Sequence, residues 1–350
     1  MPATEGPRTY LLGGIFTMLL LYTLYFARSV VLPILLALLL SLLLTPLVRA
    51  LAALWIPRPL GAAVVLLTLM GFIGGGFYLL ADPAREWLSK APRDLREVEI
   101  KLRALKTPIA EVQKATEQVE KITALGDQPA KVVVAVEQPT LAEAVLSWTP
   151  AVLAQIGVTV ILLYFLLATG DSQLRKIVRL MPDFHEKRRT VELATRVQHD
   201  IASYLFTITV INAGLGAAVA GALYLLAMPN PLLWGAMAAL LNFAPYLGAA
   251  IGFVVLSFAA LLTFDDLSHA ALVPAVYLGL TSLEGQLITP AILGRRLSLN
   301  PVVIFLFITV WGWLWGIVGV LIAVPLLASI KILCEQVESL HPLADFLDRR

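Results

Sequence analysis

The chain has 350 residues, 59% of them hydrophobic and 14% charged, with a net charge of +2 and a mean hydropathy of +0.84. A soluble domain carries about 25% charged residues, so this is an integral membrane protein, and a small net charge without a long basic run excludes a nucleic-acid binder. One cysteine, Cys334, excludes a disulfide framework, and the histidines at 185, 199, 269 and 341 include no pair at metal-ligand spacing, so no metal and no cofactor is expected.

Of the charged residues, 21 fall in 82–143 and 12 in 171–200, so two wet segments interrupt an apolar chain. A transmembrane helix needs about 20 apolar residues. The segments 10–27, 30–48, 60–81 and 149–169 meet that need, and the first lacks a cleavage site of the A-x-A kind and is read as retained. From 201 to 264 no Asp, Glu, Lys or Arg occurs. At 1.5 Å per residue that is roughly 96 Å of helix, and Pro229, Pro231 and Pro245 divide it into a helix 201–228, a short segment 232–244 and a helix 246–264. A further helix covers 270–293. The uncharged run 297–330, broken by Pro301, Gly312, Gly316, Gly319 and Pro325, is expected to be interrupted as well.

Cytoplasmic loops carry the excess of Lys and Arg. The loop 170–200 holds seven basic residues against five acidic ones and is placed inside, which puts 82–148 outside and both termini inside. Asp265 and Asp266 then face outside and Arg295 and Arg296 inside. That agreement requires 232–244 to enter the membrane and return without crossing.

In the outer segment, Leu95, Val98, Leu102, Leu105, Ile109, Val112 and Val119 follow a heptad-like spacing. Thr107-Pro108 resembles a helix start, so two helices are expected there, packing on their own protomer or against another copy. Residues 131–136 (KVVVAV) have strand composition.

Glu284 is the acidic residue placed deep in a predicted span. A charge at the bilayer centre costs about 2.5–3.5 kcal/mol on insertion scales, so such a residue faces a partner or a watery cavity. Tyr277 and Thr281 share its helix face, and Pro290 removes a hydrogen bond to the carbonyl of Gln286. Gln286 and Thr289 complete the candidate set around it. The alternative is an ion pair with Arg295 or Arg296, which lie roughly 16 to 18 Å further along a helix and would need a fold-back. Both interrupted segments open with Asn-Pro, at Asn230-Pro231 and Asn300-Pro301, where an Asn cap and a first-turn proline leave a positive helix end free. Plain interfacial turns would look the same. Asn242, Pro245, Tyr246 and Gly248 break the first segment internally, and Pro325 frees the carbonyl of Leu321 in the second. Interrupted segments in corresponding positions point to a transporter binding site. The pairs Gly71/Gly75, Gly248/Gly252 and Gly312/Gly316 fit the close-packing G-x-x-x-G pattern.

The runs LLYFLLATGD, AMPNPLLWGAMAALLNFAPYLG, LEGQLITPAILGRRLSLNPVV and WGIVGVLIAVPLLASIK, in this order and spacing, resemble the autoinducer-2 exporter family of bacterial membrane proteins. The resemblance covers 149–333 most strongly and 1–81 less so. It implies about eight hydrophobic segments, two helical hairpins that carry the moving part, and an oligomeric carrier. It also implies either export of the furanone autoinducer-2 or exchange of sodium or lithium for protons. The family's P-Y-x-G motif falls on Pro245, Tyr246 and Gly248, and its E-x5-P-x3-G motif on Glu284, Pro290 and Gly294. Ala249 stands where the family often has proline.

The resulting expectation is an all-α, multi-pass protein of the bacterial inner membrane. Its regions are a three-helix membrane region 1–81, an extracytoplasmic helical segment 82–148, a transport core 149–333 and a cytoplasmic amphipathic tail 334–350. It would move a small polar solute by alternating access, among membrane lipid and as a homo-oligomer. A sodium(lithium)/proton antiporter and a non-transporting scaffold are the alternatives. No nucleotide-cradling loop occurs. A single intramembrane carboxylate with no intramembrane histidine argues against a hydrolase.

Overall fold

The computed structural model describes residues 7–117, 141–170, 184–293, 299–337 and 340–348. Among them the backbone is helical apart from short turns and one antiparallel bridge between Leu299 and Asp348. Hydrocarbon offers backbone groups no partner, so long charge-free stretches close their hydrogen bonds within helices. In chain order these are α1 (Pro7–Phe26), α2 (Arg28–Ala53), α3 (Arg58–Glu117), α4 (Leu141–Thr169), α5 (Phe184–Leu225), α6 (Pro231–Leu241), α7 (Leu247–Thr263) and α8 (Leu267–Leu283). A π-helical turn (Glu284–Ile288), α9 (Thr289–Leu293), α10 (Pro301–Gln336) and α11 (His341–Leu347) follow.

Six described stretches are long and apolar enough to cross a membrane, within α2, α3, α4, α5, the run from α8 to α9, and α10. Their outward faces stay apolar, with Phe72, Phe77, Tyr78 and Ile317 all more than 70% exposed, as a lipid-facing surface requires. Helix α1 contributes only the apolar run Leu11–Phe26, roughly 24 Å of rise, a little less than the hydrocarbon thickness.

Helices α2, α3 and α4 pack through Ala37, Leu44, Val48, Ala62, Val65, Leu66, Leu163 and Leu167. A second core joins α5 to α8 through Leu215, Val219, Leu223, Trp234, Leu256, Ala259, Val273 and Tyr277. Within it α5 and α6 cross antiparallel on small residues: a Cβ on Gly216 would stand 2.6 Å from the carbonyl of Gly235, and one on Gly235 would stand 2.7 Å from the Cβ of Ala220. The seam is therefore Gly216-x-x-x-Ala220 against Gly235-x-x-x-Ala239, a small-xxx-small contact that a search for glycine pairs alone misses.

Two helical hairpins follow from the contacts. Ala259 and Ala260 near the end of α7 lie in one core with Met228 and Trp234 near the start of α6, so α7 returns alongside α6 and the chain turns at 242–246. Helix α10 also folds back. Gly316 takes φ 64°, ψ −144°, a Cβ on Gly319 would collide with the carbonyl oxygen of Trp311, and one on Gly312 would stand 2.8 Å from Val320. Residues eight apart rise about 12 Å along a straight helix. The two arms, 301–315 and 317–336, therefore lie side by side, and Ile304 and Ile308 pack on Ala323, Val324 and Leu327. At the open end, Asn300 N donates to the Leu347 carbonyl at 3.1 Å and the buried Lys331 ammonium meets Asp348 at 3.2 Å and Glu335 at 3.6 Å.

Several expectations are corrected. Helix α3 runs from Arg58 to Glu117 without ending at Thr107-Pro108, because an internal proline forfeits a hydrogen bond but accepts helical φ. The break in the second interrupted segment is at Gly316, and Pro325 sits buried inside the returning arm. Asn230 adopts a left-handed conformation and makes no side-chain cap. A Cβ on Gly71 or Gly75 would meet nothing from another element within 4 Å, so that pair forms no seam among the described residues. The heptad side chains of 95–119, the segment 131–136, most of the basic loop, and Arg295 and Arg296 lie outside the described residues or side chains.

Candidate functional site

Three polar or charged side chains are buried among the described residues: Asn212 at 1% exposure, Lys331 at 2% and Glu284 at 7%. Lys331 is accounted for by its carboxylate partners at the base of α10. The other two lie on α5 and directly after α8.

Glu284 opens the π-helical turn. The Thr289 amide donates to the Glu284 carbonyl across five residues, and the Thr289 hydroxyl donates to Glu284 Oε1. The disturbance foreseen at Pro290 is thus taken up one turn earlier, by widening the helix at the carboxylate. Such π bulges are rare and gather at functional sites. Thr281 spends its hydroxyl on its own helix, on the carbonyls of Tyr277 at 2.9 Å and Leu278 at 3.2 Å. Gln286 and Pro290 are exposed, so neither is brought to Glu284. Tyr277, buried, seats its hydroxyl against Gly252, in the space that a Cβ there would take.

The turn between α6 and α7 holds the second group. Asn242 Nδ2 donates to Asn212 Oδ1 of α5 at 2.9 Å. Tyr246 has φ 64° and ψ −54°, the strained γ-turn conformation, closed by the Leu247 amide donating to the Pro245 carbonyl at 2.7 Å. Pro245 precedes it, and Gly248 is buried where a Cβ would run into the Leu241 carbonyl. Ala244 packs into the flank of the α10 hairpin with Ile304, Ala323 and Leu327.

Registers place the two groups at one depth. His269 Nε2 stands 3.0 Å from the Leu226 carbonyl at one end of the antiparallel pair α5–α8, and Leu293 packs in one cluster with Ile201, Tyr204 and Leu205 at the other. Stepping equally along both helices from the first contact brings Glu284 level with residue 211. The same stepping from the Gly252–Tyr277 contact brings it level with Pro245. The π turn also packs against α5. Glu284, Thr289, Asn212, Asn242 and Pro245 thus occupy one layer. Asn300 and Pro301 do not: Asn300 Oδ1 accepts the Val302 amide at 3.0 Å and caps α10 at its base.

Asn212 escaped the sequence reading. Its signal was available, since 212, 230 and 242 are the only carboxamides in the uncharged run 201–264, and of these 212 lies in mid-helix, where a carboxamide is costly without a partner.

The family of AI-2E transporters matches residues 15–339 of this sequence. The chain belongs to that family. It is 29% identical over 315 residues to the AI-2 transport protein TqsA of Escherichia coli K12, covering 89% of this chain and 87% of TqsA. Two relatives provisionally named for transport are YhhT of Escherichia coli K12, 26% identical over 92% of this chain and 88% of its own length, and MT0215 of Mycobacterium tuberculosis, 26% identical over 94% and 89%. This chain is accordingly a multi-pass membrane transporter.

Proposed function

We propose that the chain is a secondary carrier that moves a small polar solute across the bacterial inner membrane by alternating access, with Glu284 exchanging a proton as the solute comes and goes. The observation that carries this reading is a buried carboxylate on a π turn, hydrogen-bonded by Thr289 and level with the turn of a helical hairpin. A carboxylate in a low-dielectric layer is sensitive to any charge or donor that arrives beside it, which is what coupling needs. Discontinuous helices meeting near mid-membrane are the common architecture of carrier binding sites. TqsA is named for autoinducer-2 transport, so that furanone is the first solute to test here.

The topology that fits has both termini and the loop 170–200 in the cytoplasm. Hairpin α6–α7 then enters from outside and α10 from inside, each re-entrant. On intact cells a cysteine at Lys114 reacts with an impermeant thiol reagent and one at Arg188 does not; the reverse pattern overturns the orientation. A homo-oligomer assembled partly through the heptad at 95–119 belongs to the same proposal.

A second reading, sodium or lithium exchange for protons, is favoured by the pairing of a lone carboxylate with a hydroxyl, both oxygen donors suited to a hard cation. Flux in proteoliposomes decides. Glu284→Gln keeps the shape and removes the ionisable group, so proton-coupled flux falls to background while insertion persists, and Glu284→Asp keeps a fraction of it with a shifted pH optimum. Wild-type flux and pH dependence in Glu284→Gln would make the carboxylate structural.

A further inference from the structure

We propose that the Asn212 carboxamide, held by Asn242 at the turn of the α6–α7 hairpin, is a solute-binding group, and that together with Glu284 in the same layer it selects a neutral, oxygen-rich solute over a bare cation. This rests on the carrier reading above and deepens it.

Asn212 is 1% exposed. Its oxygen is satisfied by Asn242 at 2.9 Å, while its Nδ2 is the one buried side-chain nitrogen or oxygen without a hydrogen-bond partner among the described residues. Leaving such a donor unmade costs about 1–3 kcal/mol. Packing gives no reason to carry that cost. The next turn of the same seam is Gly216 and Ala220, closed by small apolar contact with Gly235 and Ala239, and a leucine of similar size would fill position 212 without a polar atom. The cost is offset if another state of the carrier brings an acceptor to the amide. The element that covers it is the hairpin turn, which is joined to α5 at this point by a single side-chain hydrogen bond and a smooth small-residue seam.

The chemistry of the ligand follows from the two groups. An N–H2 donor pairs with a hydroxyl, carbonyl or ether oxygen and repels a metal cation. The Glu284 carboxylate has lone pairs beyond the one that Thr289 engages and accepts from a solute hydroxyl. One donor and one acceptor at the same depth suit a small molecule with neighbouring hydroxyl and carbonyl or ether oxygens.

The test uses the full-length protein, with autoinducer-2 and sodium as probes, reading flux in proteoliposomes and the ligand-induced rise in Tm in detergent. Asn212→Leu is expected to raise the KM for autoinducer-2 about tenfold, the effect of one lost hydrogen bond worth about 1.4 kcal/mol. It should also abolish the autoinducer-2 rise in Tm, while its ligand-free Tm stays close to that of the wild type, because removal of the unmet donor offsets loss of the acceptor that Asn242 uses. Asn212→Asp, isosteric but with oxygen in place of the donor, should lose the autoinducer-2 response and gain one to sodium. Asn212→Ser, which keeps a hydroxyl donor, should recover some of the response. Wild-type KM and Tm response in Asn212→Leu would overturn the proposal by making the residue structural. A wild-type protein that responds to sodium and not to autoinducer-2 overturns it while leaving a carrier. Absence of flux of either probe in the wild type overturns the carrier reading and the proposal together.

Discussion

Hairpin α6–α7 and hairpin α10 both open on Asn-Pro, run a first arm, break and return, and in both a glycine of the returning arm is pressed on a backbone carbonyl near the end of the first: Gly248 on Leu241, Gly319 on Trp311. What surrounds the break differs. The first turn keeps two carboxamides, one of them with an unmet donor, in the layer of Glu284. The second turns on Gly316 among aromatic groups, with Trp313 stacked on Tyr25 at 5.6 Å and Trp315 Nε1 donating to the Leu24 carbonyl at 3.2 Å. Its open end is fastened by Lys331 to Asp348 of the tail. A break in a helix frees backbone groups in hydrocarbon wherever it occurs. Polar side chains surround the first break, and aromatic ones tie the second to α1.

Both hairpins depend most on the closely packed glycine of the returning arm. Gly248→Ala and Gly319→Ala each force a Cβ into a backbone oxygen that cannot rotate away, and each is expected to cost about 3 kcal/mol, the upper end of ordinary overpacking. The apparent Tm and the monodisperse fraction in detergent measure it. A wild-type Tm for Gly319→Ala would mean that the arms of α10 do not lie side by side.

The fastened base of α10 comes next. Asp348→Asn removes one carboxylate from the surroundings of the Lys331 ammonium, and because Asp348 is partly solvated the loss is expected to be about 2 kcal/mol, below the loss of about 3–5 kcal/mol at a fully buried pair. Lys331→Met, which removes the charge and keeps the length, should stay within about 1 kcal/mol of wild type. The chain's single thiol, Cys334, is buried in the same arm. It should react faster with a permeant thiol reagent in both Asp348→Asn and Lys331→Met, since each removes the contact between Lys331 and Asp348. Wild-type rates in both variants would show that this contact does not fasten the arm.

Smaller effects separate the two Asn-Pro openings. Asn300 accepts a cap hydrogen bond and Asn230 accepts none, so Asn300→Ala should lose about 1 kcal/mol. Asn230→Gly, which suits the left-handed backbone there, should change stability by less than about 0.5 kcal/mol. Equal losses would mean that both openings are capped alike. Gly71→Ala, in the glycine pair that forms no seam among the described residues, is expected to be neutral or to gain up to about 1 kcal/mol from helix propensity, by the same thermal measurement. A loss there would reveal a contact that lies between copies of the chain.

The membrane class, the helical stretches, the short segment between Pro231 and Pro245, and Glu284 as an acidic residue within an apolar helical stretch were legible along the chain. These follow from hydropathy, charge and proline, which act on a chain residue by residue. Only the tertiary structure decided which breaks are turns. Pro325 and Gly316 look equally disruptive along the chain, but proline fits helical φ whereas φ 64° with ψ −144° is open to glycine almost alone. The tertiary structure also moved Asn300 out of the candidate site and brought Asn212 in, because depth in a bundle is set by how antiparallel helices register against one another. The α5–α8 and α7–α8 contacts bring residues 212, 242 and 284 to one layer, and no spacing along a single helix contains that information.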